Sequence, residues 1–378
     1  MMLHLAGAFV TSGHQVDLLL CQPKGAFLDT VPPSINVVAL KPSQNLFSRL
    51  HVLIANPRLA LTLLLPILLP KKPPKTIRYL SDLTAYLVRE QPDALLSAKT
   101  HANLVAIWAK QSADVRTRIV VSERSTMSTV IQNSRKWRWR FARPLIRKVY
   151  PHAHLVIAVS HGVAEDISAC TGLSQKRIST IYNPMLIEHI QAQSILPISH
   201  SWLNNKEIPI ILAVGRLVPA KDFSTLLKAF AYIHAKRPAR LIILGEGRER
   251  PTLEKLAEEL GIASNLSLPG FEDNPYAFMA QASVFVLSSR LEGLPNALLE
   301  ALACGCPVVS TNCRSGPQEI LDNGTFGTLV PVGDDKALAA AILRTLEHPP
   351  NTEKLRARAA EFDIDAIAAQ YLQTLLPQ

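Results

Sequence analysis

The residues with the clearest chemistry lie in one run, Ser288-Ser-Arg-Leu-Glu-Gly-Leu-Pro-Asn-Ala-Leu-Leu-Glu300, which continues through Gly305 into apolar Cys306-Pro-Val-Val309. The pattern predicts a strand, a loop carrying Glu292, and a helix ending at Gly305. Pro295 suits the first turn of that helix, where its missing N–H would have no partner in any case. A helix N-terminus offers backbone N–H groups and the positive end of the helix dipole, both suited to a phosphate. Gly293, lacking a Cβ, lets a ligand approach that backbone closely. A carboxylate beside a phosphate repels it, so Glu292 is expected to accept hydrogen bonds from neutral sugar hydroxyls. Glu300, further along the helix, is placed to accept those of a ribose diol. The bland alternative is a solvated glutamate on a surface helix; the apolar setting and the Gly and Pro framing argue against it.

A second piece, Gly215-Arg-Leu-Val-Pro-Ala-Lys221, follows an apolar run at 210–214. Arg216 and Lys221 at the mouth of a strand would offset the charge that develops on a departing diphosphate. The arginine brings a planar fork and the lysine a point charge. Leu244-Gly-Glu-Gly247 ends the next apolar run and supplies another turn of close approach. Each of these signals is weak alone.

The elements that must hold these residues alternate in type. The first half reads as a helix over 1–13, a buried strand over 15–20, then strands at 94–97, 118–121, 155–159 and 178–181 between helical patterns. A polar, Pro-punctuated linker is expected over 183–209. Beyond it come strands at 210–214, 240–244, 266–268, 283–287 and 307–310, helices at 224–235, 252–260, 276–280 and 297–303, and a last helix at 365–376. This alternation predicts an α/β fold with parallel sheets covered on both faces. At 378 residues the chain exceeds one ordinary core. Two domains are therefore expected, 1–190 and 205–360.

The net charge of +10 is uneven. Residues 1–190 carry 23 Lys and Arg against 10 Asp and Glu, while the rest carry 17 against 20. The first half is thus suited to an anionic partner. The five cysteines follow no disulfide spacing, which fits a reducing cytoplasm. Cys304, Cys306 and Cys313 lack a fourth ligand and read as core thiols, so no metal is expected. No signal peptide is visible at the start, and the most apolar stretch, 59–69, is too short and too Pro-interrupted to span a bilayer. The segment from Arg135 to Lys148 holds seven cations, three aromatics and no acid. Basic residues interleaved with Trp and Phe suit an anionic membrane surface, with 59–69 as a second contact. Nucleic acid is not expected, since no recognition motif accompanies the charge.

Together these motifs resemble the glycosyltransferases with two facing Rossmann-like domains, the GT-B fold, of the family 4-like kind. Their signature is Glu-x7-Glu, the spacing of Glu292 and Glu300. The resemblance spans nearly all of 209–334. It implies transfer of a hexose or N-acetylhexosamine, with retention of anomeric configuration, from a nucleotide sugar, UDP-linked, to a lipid-linked or polysaccharide acceptor in surface-glycan synthesis. No cofactor or Asp-x-Asp metal clamp is implied; Asp363-Ile-Asp365 fits helix capping. Gly215, Arg216 and Lys221 would hold the diphosphate, Glu292 the sugar, Gly293 and Leu294 the phosphates, and Glu300 the ribose. Gly270 and Phe271, in Leu268-Pro-Gly-Phe271, would meet the nucleobase through their backbone. The N-terminal domain would bind the acceptor and offer His101 to the donor sugar, His161 would be structural or line the cleft, and the helix within 362–378 would return to that domain. The run Cys313-Arg-Ser-Gly-Pro-Gln-Glu319 looks like the branch acting on polyprenyl-diphosphate glycans. Such an enzyme would work at the inner face of the cell membrane. The opening residues resemble the family's first helix and second strand, so its first strand and Gly-rich loop are expected upstream. A nucleotide-sugar epimerase, a glycan phosphorylase and an inactive scaffold of the same build are the alternatives. Epimerases lack the Glu-x7-Glu block, and no pyridoxal-binding Lys context is present.

Overall fold

The structure is a computed structural model that describes residues 1–24, 28–55, 57–70, 74–132, 142–204 and 207–377. It divides into two compact units, Met1–Pro184 with Ile364–Gln378, and Met185–Asp363.

In the first unit β1 (Asp17–Leu20) and β2 (Asn36–Ala39) form a parallel pair of their own. Strands β3 (Ala94–Ala98), β4 (Arg118–Glu123), β5 (Leu155–Ala158) and β6 (Ile178–Thr180) form a parallel sheet in that order. Parallel neighbours need crossovers; the helix Thr100–Ala113 joins β3 to β4 and His161–Thr171 joins β5 to β6. Val120, Ile157 and Ile181 pack with Leu5 and Phe9 of the first helix, Met2–Thr11, and with Ile367, Tyr371 and Leu375 of the last, Ile364–Leu375. The two ends of the chain thus complete one core. The 15–20 run, expected to be a buried strand, begins at Asp17 and is only half-buried. The reason is its pairing: Leu18–Leu20 bond to β2 and not to the four-stranded sheet.

The second unit holds β7 (Ile210–Val214), β8 (Arg240–Leu244), β9 (Leu266–Gly270), β10 (Val284–Leu287), β11 (Val308–Thr311) and β12 (Thr328–Val330). All are parallel, in the order β12-β11-β10-β7-β8-β9. Both faces are covered, so the strands read as continuous apolar runs. Ile211, Leu241, Ile243, Val284 and Val286 pack with Leu226, Phe230 and Ile233 of the helix Phe223–His234 and with Leu338 and Ile342 of Asp335–Glu347.

The supposed linker is not structureless. It contains the helix Ile187–Ser194, anchored by buried Ile187 and Ile190 and read as polar because its other positions are hydrophilic. Residues 57–68 break into the turn Pro57–Leu59, the helix Ala60–Leu63 and the π-turn Leu64–Leu68. Among the described residues no helix is long and apolar enough to cross a membrane.

Candidate active site

Strand order reverses between β7 and β10: the chain runs outward through β8 and β9, then returns to β10 on the other side of β7. Such a switch point leaves a crevice at the carboxyl ends of the two central strands. The loops leaving those ends carry Arg216 and Lys221 after β7, and Glu292 and Gly293 after β10. Lys221 Nζ lies 2.6 Å from Glu292 Oε1, so an ion pair spans the switch point. Ser289 Oγ donates to the same oxygen at 2.7 Å. Both charged groups are largely buried, where an ion pair holds only if its other hydrogen-bonding capacity is met.

Further bonds fix the two loops against each other. Ser288 Oγ donates to the Lys221 carbonyl at 2.8 Å, and the Arg290 N–H to that of Ala220 at 2.9 Å. Buried Asp222, at φ 49°, accepts from Arg290 Nε and Thr225 Oγ1, both at 2.8 Å. Thr311 Oγ1, at the end of β11, donates to the Ser289 carbonyl at 2.6 Å. Sequence reasoning assigned no role to Ser288, Ser289, Asp222, Arg290 or Thr311. The run Ser288-Ser-Arg290 was in view, but only the fold pairs it with 220–222.

Two glycines let the loops after β7 and β8 lie side by side. A Cβ on Gly245 would stand 2.1 Å from the Gly215 carbonyl oxygen, and one on Gly247 2.2 Å from that of Leu217. In their place the Gly215 N–H donates to the Leu244 carbonyl and the Leu217 N–H to that of Glu246, each at 2.9 Å. Arg216 is exposed on this rim. Gly270 ends β9 at φ +103°, and its carbonyl accepts from the Gly245 N–H at 2.6 Å. Phe271 beside it is exposed.

Pro295 occupies the N-cap position of the helix Asn296–Ala303, one residue earlier than expected. Its ψ of 97° is extended rather than helical, and no side chain caps this end. Gly293 and Leu294 are buried. The turn they form is covered by Gly316, at φ +94°, where a Cβ would lie 2.5 Å from Pro295 Cδ. Burial pushes the Glu300 carboxyl up to about 7, against the pull of the Lys221 charge. Burial likewise pushes the thiols of Cys304 and Cys313 up to about 12, aided by Glu300 and Glu292 respectively. Those thiols stay protonated at neutral pH. Among the described residues no group of three His, Cys, Asp or Glu is placed to hold a metal ion.

His101 lies in the first unit, near the start of the helix Thr100–Ala113 and just after Lys99, whose φ is 79°. With Ile67, Ile77, Leu104, Trp108 and Leu145 it lines an apolar pocket. Its neighbours on the helix are anchored by Glu123 at the end of β4. Thr100 Oγ1 donates to Glu123 Oε2 at 3.1 Å, Asn103 Nδ2 to Oε1 at 2.9 Å, and the Tyr150 hydroxyl to Oε1 as well. Burial pushes this carboxyl up to about 7, although all three donors pull it down. Glu123 was not anticipated; a charged residue closing an apolar strand was its signal. His161 opens the helix His161–Thr171, which Ser160 caps by accepting from the Val163 N–H at 3.2 Å. His161 Nδ1 stands 3.4 Å from Thr180 Oγ1. Of the basic segment 135–148, residues 135–141 lie outside the described residues. The remainder belongs to the helix Ala142–Val149, which buries Leu145 and Ile146.

Residues 1–188 match the family described as Glycosyltransferase Family 4, and residues 197–362 match Glycosyl transferases group 1. The N-acetylgalactosamine-N,N'-diacetylbacillosaminyl-diphospho-undecaprenol 4-alpha-N-acetylgalactosaminyltransferase of Campylobacter jejuni is 33% identical over 278 residues, 72% of this chain and 73% of that protein. The lipopolysaccharide core biosynthesis glycosyltransferase LpsE of Rhizobium meliloti is 37% identical over 174 residues, 45% of this chain and 50% of that protein. Among solved structures, Anabaena HepE in complex with UDP-glucose aligns with a TM-score of 0.75 at 20% identity, covering 99% of this chain and 95% of that one. The lipopolysaccharide outer core galactosyltransferase WaaB, in its apo form, gives 0.70 at 18% identity with the same coverage. At such identities the structural likeness establishes the fold alone.

Proposed function

Because the chain belongs to the GT-B glycosyltransferases, a family 4 domain followed by a group 1 domain, we propose that it moves a hexose or N-acetylhexosamine from a UDP-sugar to a lipid-linked glycan, with retention of anomeric configuration. The observation that carries this reading is the Lys221–Glu292 pair across the switch point, with Glu300 on the helix that follows. In the free enzyme the two charges neutralise each other. A bound donor redistributes them: Lys221 and Arg216 face the diphosphate, and Glu292 accepts from sugar hydroxyls while Ser289 keeps it oriented. Glu300 accepts from the ribose, and the backbone at Gly270 and Phe271 meets the base. As the glycosidic bond to the diphosphate breaks, negative charge grows on the leaving oxygen beside the two cations, so their stabilisation is greatest in the transition state. The lipid-linked acceptor is supported by the similarity to the Campylobacter jejuni diphospho-undecaprenol transferase, and the role in surface-glycan synthesis by the similarity to the lipopolysaccharide core enzyme LpsE.

The test is a screen of UDP-hexoses and UDP-N-acetylhexosamines against polyprenyl-diphosphate-linked sugars, with the anomeric configuration of the product read by NMR. Transfer that gives an α-linked product from an α-linked UDP-sugar is expected. A β-linked product, or transfer from another nucleotide's sugar in preference to the UDP-sugars, would overturn the reading.

A further inference from the structure

The helix Asn45–Ala55 turns an apolar row to solvent, where a surface helix of a soluble protein carries polar residues. Its inner face sets buried Ser48 and Val52 against the protein. On the opposite side, Leu46, Leu50 and Ile54 recur every fourth residue, one turn apart, and all are exposed, with Phe47 at their flank. Leu46 is 74% exposed, Phe47 63% and Ile54 67%. The same character continues through the broken helices that follow, where Leu61 is 89% exposed and Leu64 and Leu69 are exposed too. Arg49 Nη2 donates to the Pro70 carbonyl, tying the helix to the end of that stretch. Seven of the large exposed hydrophobics among the described residues therefore fall between positions 46 and 69. Scattered single exposures are ordinary, whereas a cluster of this kind marks a surface that is covered in use.

The charge around the cluster identifies what covers it. From Thr30 to Ser81 the sequence has no Asp or Glu, but it has Lys41, Arg49, Arg58, Lys71, Lys72, Lys75 and Arg78. Lys41, Arg58 and Lys75 are exposed. A second copy of the chain would bring the same positive charge against this one and be repelled. An anionic lipid surface answers both features, with headgroups for the cations and acyl chains for the leucines.

We propose that the helix Asn45–Ala55 and the 57–69 stretch form an interfacial docking surface that inserts Leu46, Phe47, Leu50, Ile54 and Leu61 into an anionic bilayer. The main apolar contact thus falls on a helix that the basic segment 135–148 does not include. The proposal is independent of the donor site, because docking can fail while UDP-sugar chemistry persists, and the reverse.

The experiment is co-sedimentation of the full chain with vesicles of phosphatidylglycerol and phosphatidylethanolamine, with phosphatidylcholine vesicles as the control. The comparison is a variant with Leu46→Gln, Phe47→Gln, Leu50→Gln and Ile54→Gln combined, whose changes all lie on solvent-facing positions. The unaltered chain should pellet with the anionic vesicles and not with the control. The variant should partition at least about tenfold less, while its thermal midpoint and its UDP-sugar hydrolysis stay unchanged. Equal pelleting of the two proteins would overturn the proposal, as would no pelleting of either. An unaltered chain that runs as a dimer while the variant runs as a monomer would also overturn it, in favour of a protein interface.

Discussion

At the level of single residues, Lys221 and Glu292 depend on each other. Lys221→Ala leaves a largely buried carboxylate without its cation and leaves the diphosphate without a point charge. Loss of one charged hydrogen bond costs roughly 1.5–3 kcal/mol, so kcat/KM should fall by about ten- to a hundredfold. Arg216→Ala should act mainly on kcat, since the diphosphate it faces gains further negative charge as its bond to the sugar breaks, so the contribution of the arginine is greatest in the transition state. Steady-state kinetics with a saturating acceptor measure both, and an unchanged kcat in Arg216→Ala would place that residue outside the reaction. Glu300 adds a dependence on pH. Its carboxyl titrates at about 7 in the free protein, and only the ionised form accepts two hydrogen bonds from a diol. Affinity for a UDP-sugar should therefore weaken as pH falls from 8 to 6, by up to about tenfold, and Glu300→Gln should remove that slope. Titration calorimetry at several pH values reads it directly. Arg216, Lys221 and Glu292 could be picked out as candidates in the sequence because each follows a strand end in a short local pattern, and Glu300 because of its spacing from Glu292. Ser289, Asp222 and Thr311 were not, because their partners come from other strands and exist only once β7, β10 and β11 are side by side.

At the level of elements, two glycines decide whether the loops after β7 and β8 can lie together. Gly245→Ala and Gly247→Ala each drive a Cβ to about 2 Å from a backbone carbonyl oxygen, and Gly245 also has a φ of +131°. Either change should lower stability by about 1–3 kcal/mol, visible as a drop in the thermal midpoint, and should weaken UDP-sugar binding beyond that loss. A stable Gly247→Ala protein with normal affinity would mean that the loop has another arrangement. The parallel strands and most helices of the second unit were readable, since strands covered on both faces appear as unbroken Val, Ile and Leu runs. The later elements were missed for physical reasons. β12 is only Thr328–Val330 and at the sheet edge, and the helices Asp335–Glu347 and Thr352–Ala360 announce themselves by caps more than by periodicity. Asp334 accepts from the Ala337 N–H at 2.9 Å and Asn351 from the Glu353 N–H at 2.8 Å. The helix within the supposed linker was hidden because only Ile187 and Ile190 are buried in it.

At the level of the whole molecule, buried Glu123 makes stability depend on pH. Its carboxyl is raised from 4.5 to about 7, so between those values the folded chain holds a proton that the unfolded chain has lost. Stability from this group is complete below about pH 4.5 and is lost as pH rises through 7, by about 1.4 kcal/mol per pH unit and about 3 kcal/mol at most. Glu300 has the same sign, so the informative quantity is the difference between the unaltered chain and Glu123→Gln. Urea unfolding across pH 5 to 8 should show a shallower decline in the variant; parallel curves would mean that Glu123 is ionised throughout. The central claim is that the switch point between β7 and β10 holds the donor sugar, and Glu292→Gln tests it most directly because the change keeps the side chain's shape and the Ser289 contact. Turnover of the UDP-sugar and affinity for UDP alone are measured on the same preparation. Turnover should fall by about ten- to a hundredfold while UDP binds no more weakly, since Glu292 meets the sugar and its lost charge leaves Lys221 free for the diphosphate. Turnover within about twofold of the unaltered enzyme would contradict the assignment.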